Sequence, residues 1–354
     1  MKGMKISFYG ATDTGRVRGN NEDDFITRYI WDKRHILLVV IDGMGGEEGG
    51  EIAASIAKNA IVKFLEEFQD DTILNLIKRA LTEANNQIVH EQQVQPALSR
   101  MGCVITAGIV DLDEETLTIA HVGDSRLYRY SEGELSKITH DHSPVGYQEE
   151  QGILTEKEAM NHPERSMISR VVGGELHQAD DKYFIEAGIF PLVPGETFVF
   201  CSDGLSDMLT SREISACLEA EGKIEEECKS LISKANEAGG KDNVTVIVAR
   251  VENFPREIKK SIDTDRKKTT KATSVESKPN DTKSEDAKPN KDKESSESDS
   301  KFRFTWVAVS LIVLIICMVL GLKLSGSDES DSKSNIQQGK NSTRIENTTQ
   351  PQNP

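Results

Sequence analysis

The chain has 354 residues, of which 36% are hydrophobic and 29% are charged, and its formal net charge is -16. The hydrophobic share is below that of ordinary globular chains, so we expect one large folded domain and a further part that does not fold. The acidic balance argues against nucleic acid as a partner, because binding a duplex needs a local excess of Lys and Arg, and residues 1–250 show no basic stripe.

The cysteines and the N-terminal residues indicate a reducing compartment. The five cysteines are an odd number, and no two have the close spacing of a zinc knuckle, so neither a closed disulfide set nor a zinc site is expected. The first residues lack the long apolar segment of a secretory signal peptide. We therefore expect the N-terminal domain to face the cytoplasm.

The first conspicuous segment is the polar loop at residues 15–24, which holds two arginines and three acids before the strand-like run 25–27. Taken alone, such a loop is most often a solvated turn. Its importance comes from the segments that follow it.

Residues 36–41 are six consecutive aliphatic residues, followed by Asp42, Gly43, Met44 and two more glycines. A run this short and this rich in β-branched residues predicts a strand buried on both faces, with Asp42 at its end. Aspartates also stand at the ends of three other strand-like runs: Asp124 after 117–122, Asp203 after 198–201, and Asp242 before 244–249.

Four strand ends that carry aspartates create an electrostatic problem if they converge. Carboxylates about 4 Å apart repel by roughly 4 kcal/mol per pair at an effective dielectric constant near 20. The acids must then be protonated, kept apart or neutralised by cations, and hard divalent ions are the simplest solution.

Hydrophobic spacing predicts the other elements of the domain. Core-facing helices are predicted over 52–65, 73–88, 211–220 and 225–238. Strands are predicted over 104–110, 116–122 and 127–130, and their arrangement as consecutive hairpins indicates an antiparallel sheet. Residues 144–165 lose this periodicity and predict a surface insertion near the acidic strand ends.

The composition changes abruptly after Phe254. Residues 255–301 are charged and polar and predict a disordered linker, because they cannot bury enough apolar surface to offset the entropy of ordering. Residues 302–323 contain an uncharged run of about eighteen residues, which is long enough to cross a bilayer as one helix. Residues 324–354 form a polar tail. We expect a single-pass protein of the cell membrane with this tail outside the cell.

Five motifs, in the same order along the chain, resemble the bacterial PPM (type 2C) metal-dependent protein serine/threonine phosphatases. They are Arg18-x-x-Asn21-Glu22-Asp23, Asp42-Gly43-Met44-Gly45-Gly46, Val122-Gly123-Asp124-Ser125-Arg126, Ser202-Asp203-Gly204 and Asp242-Asn243. The match covers roughly residues 5 to 252, within a phosphatase domain predicted over 1–254. The resemblance implies an α+β fold, a four-layer α-β-β-α sandwich of two antiparallel sheets with the acids at one edge.

The resemblance also implies a metal centre with two Mn²⁺ or Mg²⁺ ions. Asp42 would bridge the two ions, with Glu22 and the carbonyl of Gly43 at one, and Asp203 and Asp242 at the other. Asp23 would be a close neighbour or a water-mediated ligand. Asp124, together with Asp203, would bind a third and weaker ion.

Arg18 and Asp42 are the catalytic residues that the resemblance implies. The guanidinium of Arg18 has a planar fork that matches phosphate oxygens, so it would bind the substrate. The alternative for Arg18 is a surface ion pair with Glu22 or Asp24.

The chain departs from the family at two positions. It has Met44 and Glu47 where many members have histidines. The general acid is therefore unassigned. His121, His140 and His142 are candidates by residue type only, and a water bound to a metal ion is the alternative proton donor.

The most favoured function is a membrane-tethered, cytoplasm-facing phosphatase that acts on phosphoserine or phosphothreonine in proteins, with a cognate kinase as a further partner. Two alternatives stay open, a non-catalytic sensor and a phosphohydrolase of small molecules. The complete set of metal-binding acids favours an enzyme over a sensor.

Overall fold

Strands and helices follow one another closely in the computed structural model, which describes residues 4–46, 49–219 and 222–252. The strands are β1 (Ile6–Asp13), β2 (Asp23–Ile30), β3 (His35–Met44), β4 (Gly102–Asp111), β5 (Thr116–Val122), β6 (Arg126–Ser131), β7 (Glu134–Lys137), β8 (Glu186–Pro191), β9 (Thr197–Cys201) and β10 (Val244–Val251). The helices are α1 (Gly49–Glu67), α2 (Ile73–Val94), α3 (Pro144–Glu150), α4 (Glu156–Met160), α5 (Asp203–Ser206), α6 (Ser211–Leu218) and α7 (Ile224–Glu237). The four helices predicted from hydrophobic spacing are α1, α2, α6 and α7, with ends shifted by a few residues.

The strands form two five-stranded sheets in which neighbouring strands are antiparallel. One sheet has the order β1-β10-β9-β6-β7, and the other has the order β2-β3-β4-β5-β8. The aliphatic run 36–41 lies in β3 and is buried on both faces, as predicted. It is covered because helices pack on one face of its sheet and the other sheet packs on the opposite face.

Alternate side chains of β3 enter two different hydrophobic layers, as the two-residue period of a strand requires. Leu37 and Val39 pack with α1 and α2, whereas Leu38 and Val40 pack against the other sheet. A third layer joins α6 and α7 to the outer face of that other sheet. The folded part is therefore an α+β, four-layer α-β-β-α sandwich, which confirms the predicted architecture.

The strand predicted over 127–130 does not continue the hairpin formed by the two strands before it. β4 and β5 pair directly, but β6 pairs with β7 and β9 in the other sheet. The chain crosses between the sheets at Gly123, whose φ is 113° and where a Cβ would lie 2.2 Å from the side chain of Val104. The prediction of three consecutive hairpin strands is therefore wrong, and the crossing places Asp124 between the two sheets.

The sequence patterns did not predict β1, β7, β8 or the three short helices. β1 and β8 carry polar or small residues at several positions, and β7 has only 4 residues. Within residues 144–165, α3 and α4 begin at side-chain caps, Ser143 and Thr155, and not at an apolar repeat. These elements depend on caps and pairing partners, which hydrophobic periodicity does not report.

The predicted linker (255–301), transmembrane helix (302–323) and polar tail (324–354) lie outside the described residues, as does Glu47. In the part of the chain that is described, no helix combines the length and the apolar character needed to cross a membrane. The domain boundary at residue 254 and the membrane anchor therefore stay predictions.

Candidate active site

β2 and β3 bring two of the predicted acids together. Asp23, the first residue of β2, pairs directly with Asp42 near the end of β3. The next residue, Gly43, donates its backbone N–H to the carbonyl oxygen of Glu22 at 3.2 Å. A side chain at position 43 would lie 2.4 Å from that carbonyl and 2.2 Å from the carbonyl of Gly50, so only glycine lets these three segments approach one another.

β9 and β10 deliver two further acids from the other sheet. Asp203 lies two residues after the end of β9 and begins α5, and Asp242 lies two residues before the start of β10. Gly204 packs on the backbone of Asn243, where a Cβ would lie 1.8 Å from the carbonyl oxygen. Because position 204 has no side chain, Asp203 can lie close to Asp242.

Asn243, to which the sequence analysis gave no role, organises the loop that carries Arg18 and Glu22. Its Nδ2 donates to the carbonyl oxygens of Thr14 and Asn20, each at 2.9 Å. Its Oδ1 accepts the backbone N–H of Glu22 at 2.8 Å. Its position directly after Asp242, a predicted metal-binding residue, is the sequence feature that could have indicated this role.

The predicted site residues, with one exception, line a single cleft of about 370 Å³. The predicted residues that line it are Arg18, Glu22, Asp42, Gly43, Asp124, Asp203 and Asp242. They come from five segments that are far apart in the sequence and belong to both sheets. The convergence that the four aspartate-bearing strand ends suggested is therefore confirmed.

The exception is Asp23, which is buried beside the cleft. Its Oδ2 accepts hydrogen bonds from Ser202 Oγ at 2.8 Å and from Thr245 Oγ1 at 2.6 Å. These bonds join β2 of one sheet to the ends of β9 and β10 in the other. One oxygen of Asp23 is thus committed to linking the sheets, and its role as a water-mediated ligand stays a prediction.

The carboxyl groups in the cleft raise one another's pKa. Burial raises the pKa of Asp42 well above its usual value, and repulsion from Asp23 and Asp203 raises it further. Burial and repulsion from Asp124 do the same for Asp203. Burial also raises the pKa of Asp124 to about 7 and that of Asp23 to about 6. The cleft therefore holds more acid groups than its protein surroundings neutralise.

Arg18 lies at the mouth of this cleft with a half-exposed side chain. Its Nη2 lies 2.8 Å from Oδ2 of Asp242, and its Nη1 lies 3.4 Å from Oε2 of Glu22. The ion pair with Glu22 considered as the alternative is therefore present, whereas Asp24 instead pairs with Lys58 Nζ at 2.6 Å. Because these contacts hold the guanidinium at the cleft wall, the phosphate-binding role of Arg18 stays open to test.

The donor set of the cleft fits hard divalent cations. Its carboxylates offer oxygen ligands, which Mg²⁺ and Mn²⁺ prefer over nitrogen or sulfur. Arg18 is the cationic side chain that lines the cleft, and it lies at the rim. Divalent ions among the acids would remove the repulsion that raises the pKa of Asp42 and Asp203.

Comparison with known proteins decides the family. A family model described as protein phosphatase 2C matches residues 13–245, which covers most of the described domain. The chain belongs to the protein phosphatase 2C family. This 2C phosphatase is a protein serine/threonine phosphatase, as its named relatives are.

Relatives and solved structures extend the similarity over the whole domain of the 2C phosphatase. The serine/threonine phosphatase stp of Listeria innocua is 31% identical over 241 residues, which are 67% of this chain and 92% of that protein. The crystal structure of the serine/threonine phosphatase Stp1 from Staphylococcus aureus matches with a TM-score of 0.64 at 30% identity, over 71% of this chain and 97% of that chain. The catalytic domain of PstP, solved with 2 manganese ions, matches with a TM-score of 0.61 at 29% identity, over 71% of this chain and 100% of that chain.

The histidines considered as general acids do not line the cleft of the 2C phosphatase. His121 is fully buried, with Nδ1 2.9 Å from Thr106 Oγ1 and Nε2 3.1 Å from the carbonyl oxygen of His140. Burial lowers the pKa of His121 to about 4, so this ring is neutral. The ring of His140 pairs with Glu186 at 2.9 Å. Their candidacy as general acids therefore lacks a geometric basis.

His121, His142 and Glu186 form a separate cluster whose ligand atoms lie within 4.8 Å of one another. The ring nitrogens of His142 already have partners, since Nδ1 accepts the backbone N–H of Gly123 at 3.0 Å and Nε2 lies 3.0 Å from a guanidinium nitrogen of Arg170. A guanidinium in that place repels a metal cation. We therefore interpret this cluster as a hydrogen-bonding network that holds the turn at Gly123.

The insertion at 144–165 lies against the acids, as predicted. Residues of α3 and α4 line a small cavity together with Asp124 and Asp203. Asp207, which the sequence analysis missed, also lines this cavity; burial raises its pKa, and its Oδ2 lies 2.8 Å from Nε of Arg165. Asp207 is four residues after Asp203, and this spacing is the sequence feature that could have indicated its place near the cleft.

Proposed function

We propose that this 2C phosphatase hydrolyses phosphoserine and phosphothreonine in proteins and requires divalent Mn²⁺ or Mg²⁺. One observation carries the proposal: five distant segments deliver carboxylates and Arg18 to one cleft, where burial and repulsion between the acids raise the pKa of Asp42 and Asp203. A phosphate monoester dianion is repelled by such a cleft unless cations lie between the charges. The manganese ions in the related PstP structure support the same requirement.

The residues proposed to hold two ions are Glu22, Asp42, Gly43, Asp203 and Asp242. When bound, such ions activate water at neutral pH and offset the charge that develops on the phosphate. A third, weaker ion is proposed at Asp124, which lines both the cleft and the neighbouring small cavity. Asp23 and Asn243 position these groups, the first by linking the sheets and the second by holding the loop before Glu22.

Arg18 is proposed to bind the phosphate of the substrate. Its guanidinium lies at the rim between Glu22 and Asp242, so a bound phosphate can replace one of these carboxylates as its partner. The arginine then contributes two hydrogen bonds to the non-reacting phosphate oxygens and fixes the orientation of the ester.

The test measures phosphate release by the full chain from a phosphothreonine peptide in the presence of Mn²⁺. We expect activity that EDTA abolishes and Mn²⁺ restores, and we expect Asp42→Asn to remove it. Asp24→Asn is the matched control, because Asp24 neighbours Asp23 in sequence but pairs with Lys58 outside the cleft. Full activity in EDTA, or full activity of the Asp42→Asn variant, would refute the proposal.

The same assay separates protein substrates from small molecules. We expect a much higher kcat/KM for phosphopeptides than for sugar phosphates. The reverse preference would assign the cleft to small-molecule phosphate esters instead.

A cellular setting is also proposed, in which residues 302–323 anchor the chain and hold its phosphatase domain at the cytoplasmic face of the cell membrane, with a kinase as a partner. The uncharged run within these residues supports the anchor. Protease treatment of intact cells should cleave the tail at 324–354 and leave the phosphatase domain protected. Cleavage of the domain, or recovery of the chain in the soluble fraction, would contradict this arrangement.

A further inference from the structure

Two exposed basic residues, Arg16 and Lys241, lie beside the cleft and are called the basic pair below. Arg16 is two residues before Arg18, and Lys241 directly precedes Asp242. Arg18 and Asp242 both line the cleft, whereas neither member of the basic pair does. Because consecutive Cα atoms are about 3.8 Å apart, the basic pair is within reach of a peptide bound in the cleft. The reaction proposed above gives it no role.

The backbone at Gly240 brings the two members of the basic pair together. Arg16 donates its backbone N–H to the carbonyl oxygen of Gly240 at 2.7 Å. A Cβ at position 240 would lie 2.8 Å from Cγ of Arg16, so the aliphatic part of this side chain lies over Gly240. Lys241 is the next residue in the chain. Two cationic side chains from segments that are far apart in the sequence therefore start from adjacent backbone.

Close packing fixes these two segments against each other. Gly15 has a φ of 83°, and a Cβ at this position would lie 2.2 Å from the carbonyl oxygen of Asp242. Asn243 Nδ2 donates to the carbonyl oxygens of Thr14 and Asn20, which lie on either side of the first basic residue in the chain. The backbone that carries the basic pair is therefore ordered before a ligand binds, so less ordering is needed on binding.

The acids nearest to the basic pair in the sequence contact other groups. Oδ1 of Asp13 accepts the N–H of Gly15 at 2.9 Å and Nδ2 of Asn236 at 3.0 Å. Oδ2 of Asp242 lies 2.8 Å from Nη2 of Arg18. Among the described residues, no acid forms an ion pair with either member of the basic pair. Their positive charges and side-chain hydrogen-bond donors are therefore available to a ligand.

The chemistry of the basic pair fits an anionic ligand. Guanidinium and ammonium groups donate several hydrogen bonds to carboxylate or phosphate oxygens. The formal net charge of the chain is -16 and the cleft itself is acidic, so the basic pair gives an acidic segment a local attraction beside the cleft. Single exposed cations without an ion pair, such as Lys33, also occur elsewhere among the described residues. The basic pair differs from them because two such cations are adjacent and flank the cleft.

We propose that Arg16 and Lys241 bind an anionic group of the phosphoprotein substrate, close in sequence to the phosphorylated residue. The anion is a carboxylate or a second phosphate, which share the oxygen acceptors that cationic side chains recognise. The inference rests on the proposed protein phosphatase activity and adds a preference for acidic sequences to it. Arg18 stays assigned to the phosphate that is hydrolysed, and the basic pair binds the neighbouring anion.

The experiment compares phosphothreonine peptides that have alanines around the phosphorylated residue and one glutamate at successive flanking positions. A parallel series carries a non-hydrolysable phosphonate analogue of phosphoserine in place of glutamate, so that only the phosphothreonine releases phosphate. We expect glutamate at one position to raise kcat/KM of the full chain about threefold over the alanine peptide, as an exposed charge pair does. The phosphonate, which carries more charge, should raise it about tenfold. An effect of the phosphonate alone would identify the anion as a second phosphate.

Variants of the basic pair test its role directly. Arg16→Gln and Lys241→Gln remove one charge each, and both should lower the ratio of anionic-peptide to alanine-peptide kcat/KM. The double charge reversal, Arg16→Glu with Lys241→Glu, should make a peptide with lysine at the same position the preferred substrate. Loss of folding lowers hydrolysis of all peptides alike, so only a change of the binding site changes these ratios.

Lys33→Glu is the matched control for charge. It reverses the charge of an exposed residue between β2 and β3, at the end of these strands opposite to Asp23 and Asp42. We expect it to keep the wild-type ratio, because it lies far from the cleft along both strands.

The inference and the function on which it rests fail in different ways. If neither glutamate nor the phosphonate raises kcat/KM at any position, or if Lys33→Glu lowers the ratio as much as Arg16→Gln and Lys241→Gln do, the anion site is refuted while phosphopeptide hydrolysis itself stands. If p-nitrophenyl phosphate is hydrolysed and no phosphopeptide is, the proposed protein substrate is refuted together with the anion site.

Discussion

Two groups of buried carboxyl groups lie side by side in this fold and differ in how their charge is balanced. In the cleft, Asp42 and Asp203 face other acids, and burial and repulsion raise their pKa well above the usual value. At Asp141, burial acts in the same direction, but Arg126 at 2.7 Å and Lys137 at 3.0 Å hold its pKa below the usual value. Among the described residues, no Lys or Arg lies at the centre of the first group, whereas the second group includes Arg126 and Lys137.

The contrast separates buried acids that stabilise the fold through ion pairs from buried acids that are suited to bind cations. The group at Asp141 is a complete ion network, since Arg126 also pairs with Glu149 at 2.8 Å and Lys137 pairs with Glu150 at 2.9 Å. Such a network needs nothing from outside the protein. Acids that repel one another without such partners are candidates for binding external cations, and we propose that the cleft is that place in this chain.

The largest expected effect separates the two groups by activity. Asp203→Asn removes a proposed metal ligand, and we expect phosphopeptide hydrolysis to fall by more than about a hundredfold, because changes one shell further from a metal already cost about that much. Asp141→Asn is the matched variant and should keep most of its activity per folded molecule. Steady-state assays with saturating Mn²⁺ measure both. Equal losses in the two variants would remove the distinction between the groups.

Breaking the balanced network should cost stability. Arg126→Met leaves Asp141 and Glu149 without their shared guanidinium, and removing one partner of a buried ion pair costs about 3 to 5 kcal/mol. The free energy of unfolding, measured by urea titration with and without Mn²⁺, should fall by this amount in both conditions. A wild-type free energy of unfolding would show that the network is not needed.

Neutralising one acid in each group should change the stability of the metal-free protein in opposite directions. Because the folded-state pKa of Asp42 is raised, its contribution to stability is present below the usual carboxyl pKa and is lost as pH rises toward the folded value. At slightly alkaline pH, Asp42→Asn should therefore stabilise the metal-free protein by on the order of 1 kcal/mol or more, since a pKa raised by one unit corresponds to about 1.4 kcal/mol. Asp141→Asn should destabilise it, because the pKa of Asp141 is lowered.

Thermal unfolding of the metal-free variants across a pH series measures this difference. The wild type should lose stability as pH rises through the raised pKa of its cleft acids, and the Asp42→Asn variant should lose less. Parallel pH profiles for the wild type and Asp42→Asn would contradict the raised pKa.

The smallest expected effect concerns the acid that joins the sheets beside the cleft. Thr245→Val keeps the shape of the side chain and removes the hydroxyl that donates to Asp23 at 2.6 Å, which should destabilise the fold by about 1 to 2 kcal/mol. Thr12→Val is the control, because its hydroxyl contacts Thr245 at 2.7 Å and has no bond to Asp23. Urea titration of both variants should show the larger loss for Thr245→Val, and equal losses would remove the special role of Asp23.

The parts of the site that the sequence predicted are those with a local signal. The run 36–41 and the acid after it predicted both the buried strand and the position of Asp42. The glycines at 43 and 204 follow the acids directly because the backbone is crowded there. The five motifs, found in the same order as in a known family, predicted the four-layer sandwich through that resemblance.

The parts that the sequence did not predict depend on residues brought together by folding. The crossing at Gly123 is set by close packing on Val104, and the role of Asn243 is set by carbonyl groups some 220 residues earlier in the chain. The pairing of Arg126 with Asp141 likewise depends on the sheet that β6 joins. Hydrophobic periodicity carries no information about such contacts.

The most direct test of the central claim is calorimetric titration of the full chain with Mn²⁺ in two buffers of different ionisation enthalpy. We expect Mn²⁺ uptake accompanied by proton release, because acids with raised pKa values must ionise to bind the metal. Both signals should be lost in Asp42→Asn and retained in Asp141→Asn. The absence of Mn²⁺ uptake by the wild type, or the same uptake by Asp42→Asn, would contradict it.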